Sequence, residues 1–147
     1  MQKSKCVLAA EFAFLALWIC VIWGHSMMPP AMSSAESGWV EALLRAILPF
    51  ELPFPVRKMA HFTAFAVLGV LAQLAYRHLF GLRPQCVANV LFTGLLVAVT
   101  DEFIQSFTGR GPMVSDVVLD FSGCVFGVLL CGVCLYIGTK HRSMKSE

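Results

Sequence analysis

Apolar residues in this chain gather into four long runs. They cover about residues 6–24, 59–79, 87–107 and 114–137. Lys3 and Lys5 precede the first, Arg57 and Lys58 the second, and Lys140, His141, Arg142 and Lys145 follow the fourth. At about 1.5 Å per helical residue, each run is long enough to cross roughly 30 Å of hydrocarbon. The pattern therefore predicts an all-α membrane protein, a four-transmembrane-helix bundle forming one domain over residues 1–147. The first run resembles a secretory signal, but it is too long for one, and Gly24-His25-Ser26-Met27 offers no small-x-small cleavage site. It reads as the first spanning helix.

Between the first two runs, Pro29, Pro30, Pro49, Pro53 and Pro55 exclude a fifth spanning helix from residues 28–54. Trp39, Val40, Leu43, Leu44, Ile47 and Leu48 recur there at helical spacing, with Glu41 and Arg45 opposite. They predict a short amphipathic helix in the first outer loop, with Ser37 capping its start. Such a helix lies along the membrane surface with Trp39 as its anchor, or packs on the bundle as a lid. Glu11, inside the first run, is expected to reach the inner interface or to pair with a neighbouring helix.

Composition supports this picture: 58% of residues are hydrophobic and the mean hydropathy is +0.75. A net charge of +2 is too small to suggest nucleic acid as a partner. Cys131 and Cys134 form a C-x-x-C inside an apolar run, where a small apolar role is expected rather than zinc or redox chemistry. Lys and Arg set the orientation. Lys3, Lys5, Arg77, Arg83, Lys140, Arg142 and Lys145 fall on one side, against Arg45, Arg57, Lys58 and Arg110 on the other. The richer side is cytoplasmic, which places both termini inside.

This topology brings distant polar residues to one depth. Lys58 and His61 open the second run, Asp101, Glu102 and Gln105 close the third, Arg110 lies in the turn, and Asp116 and Asp120 open the fourth. Charged groups at such a depth need partners or a function. Gly94 and Ala98 continue the polar stripe of the third helix. On the fourth, Asp116, Asp120, Gly123, Gly127, Cys131 and Cys134 form one stripe whose small residues allow close helix approach. With Arg57, Lys58 and Arg110 the acids can form a purely structural ion network. A site open to the outside is the other reading, and apolar packing would hold helices together with less desolvation. In such a site Lys58 and Arg110 suit a phosphate or carboxylate. His61, Asp101 and Glu102 are the candidate catalytic acid–base groups, and Gln105, Asp116 and Asp120 complete the substrate-binding set. One His without fixed ligand spacing predicts no metal, and no cofactor is expected.

R-K-M-A-H-F at residues 57–62, D-E-F-I-Q-S-F at 101–107 and G-R-G-P-M-V-S-D-V-V-L-D-F-S-G at 109–123 resemble the VanZ-like family, as do Ser26, Ser33, Ser34 and Ser37. The resemblance covers the whole chain, and the three motifs in this order are specific where each alone is not. It implies a small multi-pass protein of the bacterial cell membrane linked to teicoplanin, a glycopeptide antibiotic. The family's polar residues fall on Lys58, His61, Asp101, Glu102, Gln105, Arg110, Asp116 and Asp120. The chain departs from the pattern with Ala64 in place of a Glu and Ile104 in place of a His, and its link from Gln105 to Arg110 is one residue short. The resemblance implies a membrane lipid, a lipid-linked cell-wall precursor or a lipoglycopeptide as partner. The protein would bind or modify a head group at the outer face, or act without catalysis through its polar cluster. A transporter is disfavoured, because polar groups on one side only leave no path across the bilayer.

Overall fold

A computed structural model of the chain describes residues 2–47, 55–109 and 111–144. It consists of five helices, α1 (Gln2–Ser26), α2 (Pro30–Ile47), α3 (Val56–Phe80), α4 (Pro84–Phe107) and α5 (Val114–Met144), with no strand among the described residues. Four stretches are long and apolar enough to cross a membrane: Lys5–Ser26, Val56–Phe80, Pro84–Phe107 and Val114–Gly138. The expected four-span bundle is therefore present, and the chain is a multi-pass membrane protein. α3 and α4 start about three residues earlier than the apolar runs suggest. Pro55 immediately precedes α3 and Pro84 opens α4, and proline's fixed φ and missing N–H suit a helix start. Gly81 ends α3 at φ 67, and its N–H bonds to the Arg77 carbonyl, a left-handed cap that favours glycine.

The bundle is apolar outside. Phe14, Leu17, Phe92, Phe103, Phe107, Phe126 and Leu129 are all exposed on the spanning helices, as a lipid-facing surface requires. α3 is the central element, packed against α5 most extensively and also against α1 and α4. Its contact with α5 is made by backbone. A Cβ at Gly123 would run into the Phe62 carbonyl, and one at Gly127 into the Ala66 carbonyl. The small-residue stripe thus does what its spacing predicts, except that Cys134 is exposed while Cys131 is buried. Cys131 is the last buried residue of α5 among those described, and Cys134, one turn further on, lies where the helix has left the core.

α1 is held at two depths by indole donors. Trp18 Nε1 donates to the Ala64 carbonyl at 2.9 Å, and Trp23 Nε1 to the Val97 carbonyl at 3.5 Å. Glu11 pairs with α3, as expected for a carboxylate inside a span: His78 Nδ1 lies 2.5 Å and Arg77 3.9 Å from its oxygens. α2 is longer than expected and packs on α3. It starts at Pro30, so Ser37 is not its cap; Ser37 lies in the second turn and donates to the Ser33 carbonyl at 2.8 Å. Trp39 and Ile47 on α2 are exposed. Leu48, Pro49 and Pro53 lie outside the described residues.

Candidate functional site

Four helix ends meet at one end of the bundle: the last turn of α1, the first turns of α3 and α5, and the last turns of α4. Their polar side chains point inward, because the outer surface there is taken by Phe103, Phe107 and Val118. Asp101 is fully enclosed, as is Ser26 beside it. Its Oδ1 accepts from Ser26 Oγ at 2.5 Å and its Oδ2 from Gln105 Nε2 at 2.7 Å. Asp101 and Gln105 are one turn apart on α4, so the second bond is local. Gln105 is held in turn by Arg57, whose guanidinium donates to Gln105 Oε1 at 3.2 Å. A chain of donors thus runs from Arg57 through Gln105 to Asp101.

His61 faces two carboxylates. Its Nδ1 lies 3.9 Å from Asp101 Oδ2 and 3.5 Å from Asp120 Oδ1. These are ion-pairing distances rather than good hydrogen bonds. Asp120 is 1% exposed, yet among the described residues neither of its oxygens has a hydrogen-bond partner, and neither does His61 Nε2. Orphaned polar atoms at such depth are rare and costly.

Above this cluster lies a cavity of about 460 Å³, walled among others by Arg57, Lys58, His61, Glu102, Asp116 and Asp120. Lys58 and Asp116 form its rim, 3.5 Å apart. Glu102 forms part of the wall, and its Oε2 accepts the Met113 N–H at 3.0 Å, which pins the turn between α4 and α5. Beside the cavity, between α3 and α5, runs an apolar groove of about 580 Å³ lined by Met59, Phe62, Thr63 and Ser122. Lys58 and Leu119 line both spaces.

Seven of the eight residues singled out from the sequence therefore converge. His61, Asp101, Gln105 and Asp120 form the buried layer, and Lys58, Glu102 and Asp116 line the cavity above it. Arg110 lies outside the described residues. Two members were not placed at the site by sequence. Arg57 was counted only as a network cation, and Ser26 only as part of a family resemblance. The depth argument reaches Ser26 as well, since it ends the first span at the same level. His25, beside it, lies 3.3 Å from Glu36 of α2, and its ring stands edge-on to His61 with centroids 6.3 Å apart. Ala64, one turn from His61, shares with it a cleft between α1 and α3. The family's Glu at this position would stand beside the cluster; here the cleft wall is apolar.

No curated protein and no solved structure matches the chain. A family model described as VanZ/LLP1 matches residues 12–135, a stretch that takes in every residue of the buried layer and of the cavity.

Proposed function

The chain belongs to the VanZ/LLP1 family of membrane proteins, and from that premise we propose that it receives the head group of an anionic amphiphile in its polar cavity. The amphiphile is a membrane lipid, a lipid-linked cell-wall precursor or a lipoglycopeptide of the teicoplanin kind. The observation that carries the reading is the shared wall of the two spaces. A polar cavity with Arg57 and Lys58 opens beside an apolar groove, with Lys58 and Leu119 common to both. A head group in the first and an acyl chain in the second is the occupancy their chemistry matches. The Lys and Arg count of the loops supports an outer-face position for this end, with both termini cytoplasmic, and the family resemblance supports the bacterial cell membrane as its setting.

In the cavity, Lys58 and Arg57 supply charge for a phosphate or carboxylate, with Arg110 expected from its sequence position to join them. Glu102 and His61 are the groups able to move a proton there, with Asp101 orienting His61. The competing reading is a folding core without chemistry. The bond from Met113 N–H to Glu102 favours it for that one residue.

The test is expression of His61→Gln and Glu102→Gln in a teicoplanin-susceptible bacterium, with membrane insertion and thermal stability measured in parallel. Loss of protection at unchanged insertion is expected for both. Retained protection in both, at parental stability, rules out proton chemistry at these residues.

A further inference from the structure

The buried layer beneath the cavity has a charge problem that no described residue solves. Asp101 and Asp120 are both withdrawn from solvent. One donor atom from each of them and one from His61 all lie within 4.8 Å of one another. Among the described residues, the ion pairs of both acids are with His61 alone. Arg57 bonds to the neutral Gln105, and Lys58 pairs with Asp116. A protonated His61 balances one carboxylate and leaves the other uncompensated in a low-dielectric setting. Asp120, 1% exposed, lines the cavity, and neither of its oxygens has a hydrogen-bond donor among the described residues.

We propose that His61, Asp101 and Asp120 hold a divalent cation at the base of the cavity. One imidazole nitrogen and two carboxylates form a nitrogen–oxygen set suited to manganese, zinc or iron. Around an ion with bonds of about 2.1 Å, neighbouring ligand atoms stand roughly 3.0–3.4 Å apart. The observed 3.5 Å and 3.9 Å separations of His61 Nδ1 from the two acids are close to that spacing. Asp101 already has the support that metal-binding carboxylates receive: Ser26 and Gln105 each donate to it, and Arg57 fixes Gln105. Each of its oxygens keeps a lone pair free for a ligand bond. Asp120 has no such donor among the described residues, and the ion is its missing partner. The remaining coordination positions face the cavity, where an anionic group can reach them. With the cation bound, His61 would serve as a ligand and proton transfer would rest with Glu102, which narrows the pair of proton-moving groups proposed above to one. The inference stands apart from what the cavity binds.

The experiment uses the purified full-length chain in lipid nanodiscs, stripped with EDTA and titrated with Mn²⁺ in the absence of any substrate. Bound ion is read from loss of the free-Mn²⁺ paramagnetic resonance signal. Mn²⁺ is the probe because its preference for oxygen and nitrogen keeps it away from the six cysteines. Saturable binding near one ion per chain is expected. Asp120→Asn, which has no hydrogen bond to lose, weakens it by more than about 100-fold, beyond the roughly 10–100-fold typical of losing an outer-shell partner. Ser26→Ala, acting only through Asp101, falls inside that range. Glu11→Gln, at the other end of the bundle, leaves binding unchanged. Should Asp120→Asn fail to fold, the parent decides alone: Mn²⁺ raises and EDTA lowers its unfolding temperature. No saturable binding by the parent, or binding that survives Asp120→Asn, overturns the proposal without touching the head-group reading.

Discussion

Each end of the bundle brings a carboxylate of one helix against a histidine of another, but the two arrangements differ in depth and balance. At the end where α3 finishes, Glu11 meets His78 and Arg77 with side chains between 22% and 35% exposed. One acid has two basic partners, and Tyr76 and Thr93 complete the layer with a hydroxyl pair at 3.1 Å. At the other end, Asp101 and Asp120 share a single histidine and are almost fully enclosed. The first arrangement is what a membrane bundle needs to bring a carboxylate to its interface. The second is more deeply buried and less well matched than packing requires. Asp120 also lines a cavity, whereas the space of about 660 Å³ at the first end is walled by Leu82, Arg83 and Pro84 rather than by Glu11, Arg77 or His78. A polar cluster in a membrane protein is thus suspect as a site when its atoms lack partners, not merely because it is charged.

Three substitutions break or sharpen this contrast. Gly127→Leu has the largest expected effect, because its side chain would enter the Ala66 carbonyl and push α3 from α5. A loss of about 3 kcal/mol or more is expected, since two backbones cannot relax as side chains do. Thermal unfolding in detergent measures it, and both ends should fail together. Ser26→Ala acts on one end only. It removes a buried donor to a carboxylate, worth about 1.5–3 kcal/mol, and is expected to lower stability while leaving the Glu11 layer intact by hydrogen exchange. Glu11→Gln is the smallest, under about 1 kcal/mol, because partly exposed pairs are screened. An effect of Glu11→Gln as large as that of Ser26→Ala would erase the contrast between the two ends.

The sequence made the architecture readable for a simple reason. Spanning helices must satisfy their backbones internally, so apolar run length alone delimits them. Depth was readable too, since an up-and-down topology fixes which run ends lie together. That logic brings Lys58, His61, Asp101, Glu102, Gln105, Asp116 and Asp120 to one level from the sequence alone. Partner choice was not readable. That Asp101 bonds to Ser26, that Glu102 bonds to a turn amide, and that Asp120 accepts no hydrogen bond from a described residue depend on helix rotation and side-chain torsions, which spacing does not set. The start of α2 was misjudged because Ser37 looks like a cap, whereas Pro30 can open the helix seven residues earlier. Spacing places Cys134 on the same stripe, but spacing does not say where a helix leaves its bundle, and α5 has no buried residue after Cys131 among those described.

The most direct test of the account is the lipid that accompanies the chain. The protein is purified in mild detergent, and its retained lipids are identified by native mass spectrometry for the parent and for Lys58→Glu, the residue common to cavity and groove. The account predicts that the parent holds a phosphate- or carboxylate-bearing amphiphile and that Lys58→Glu, with its fold unchanged, loses it. Identical lipid profiles in the two proteins would contradict it.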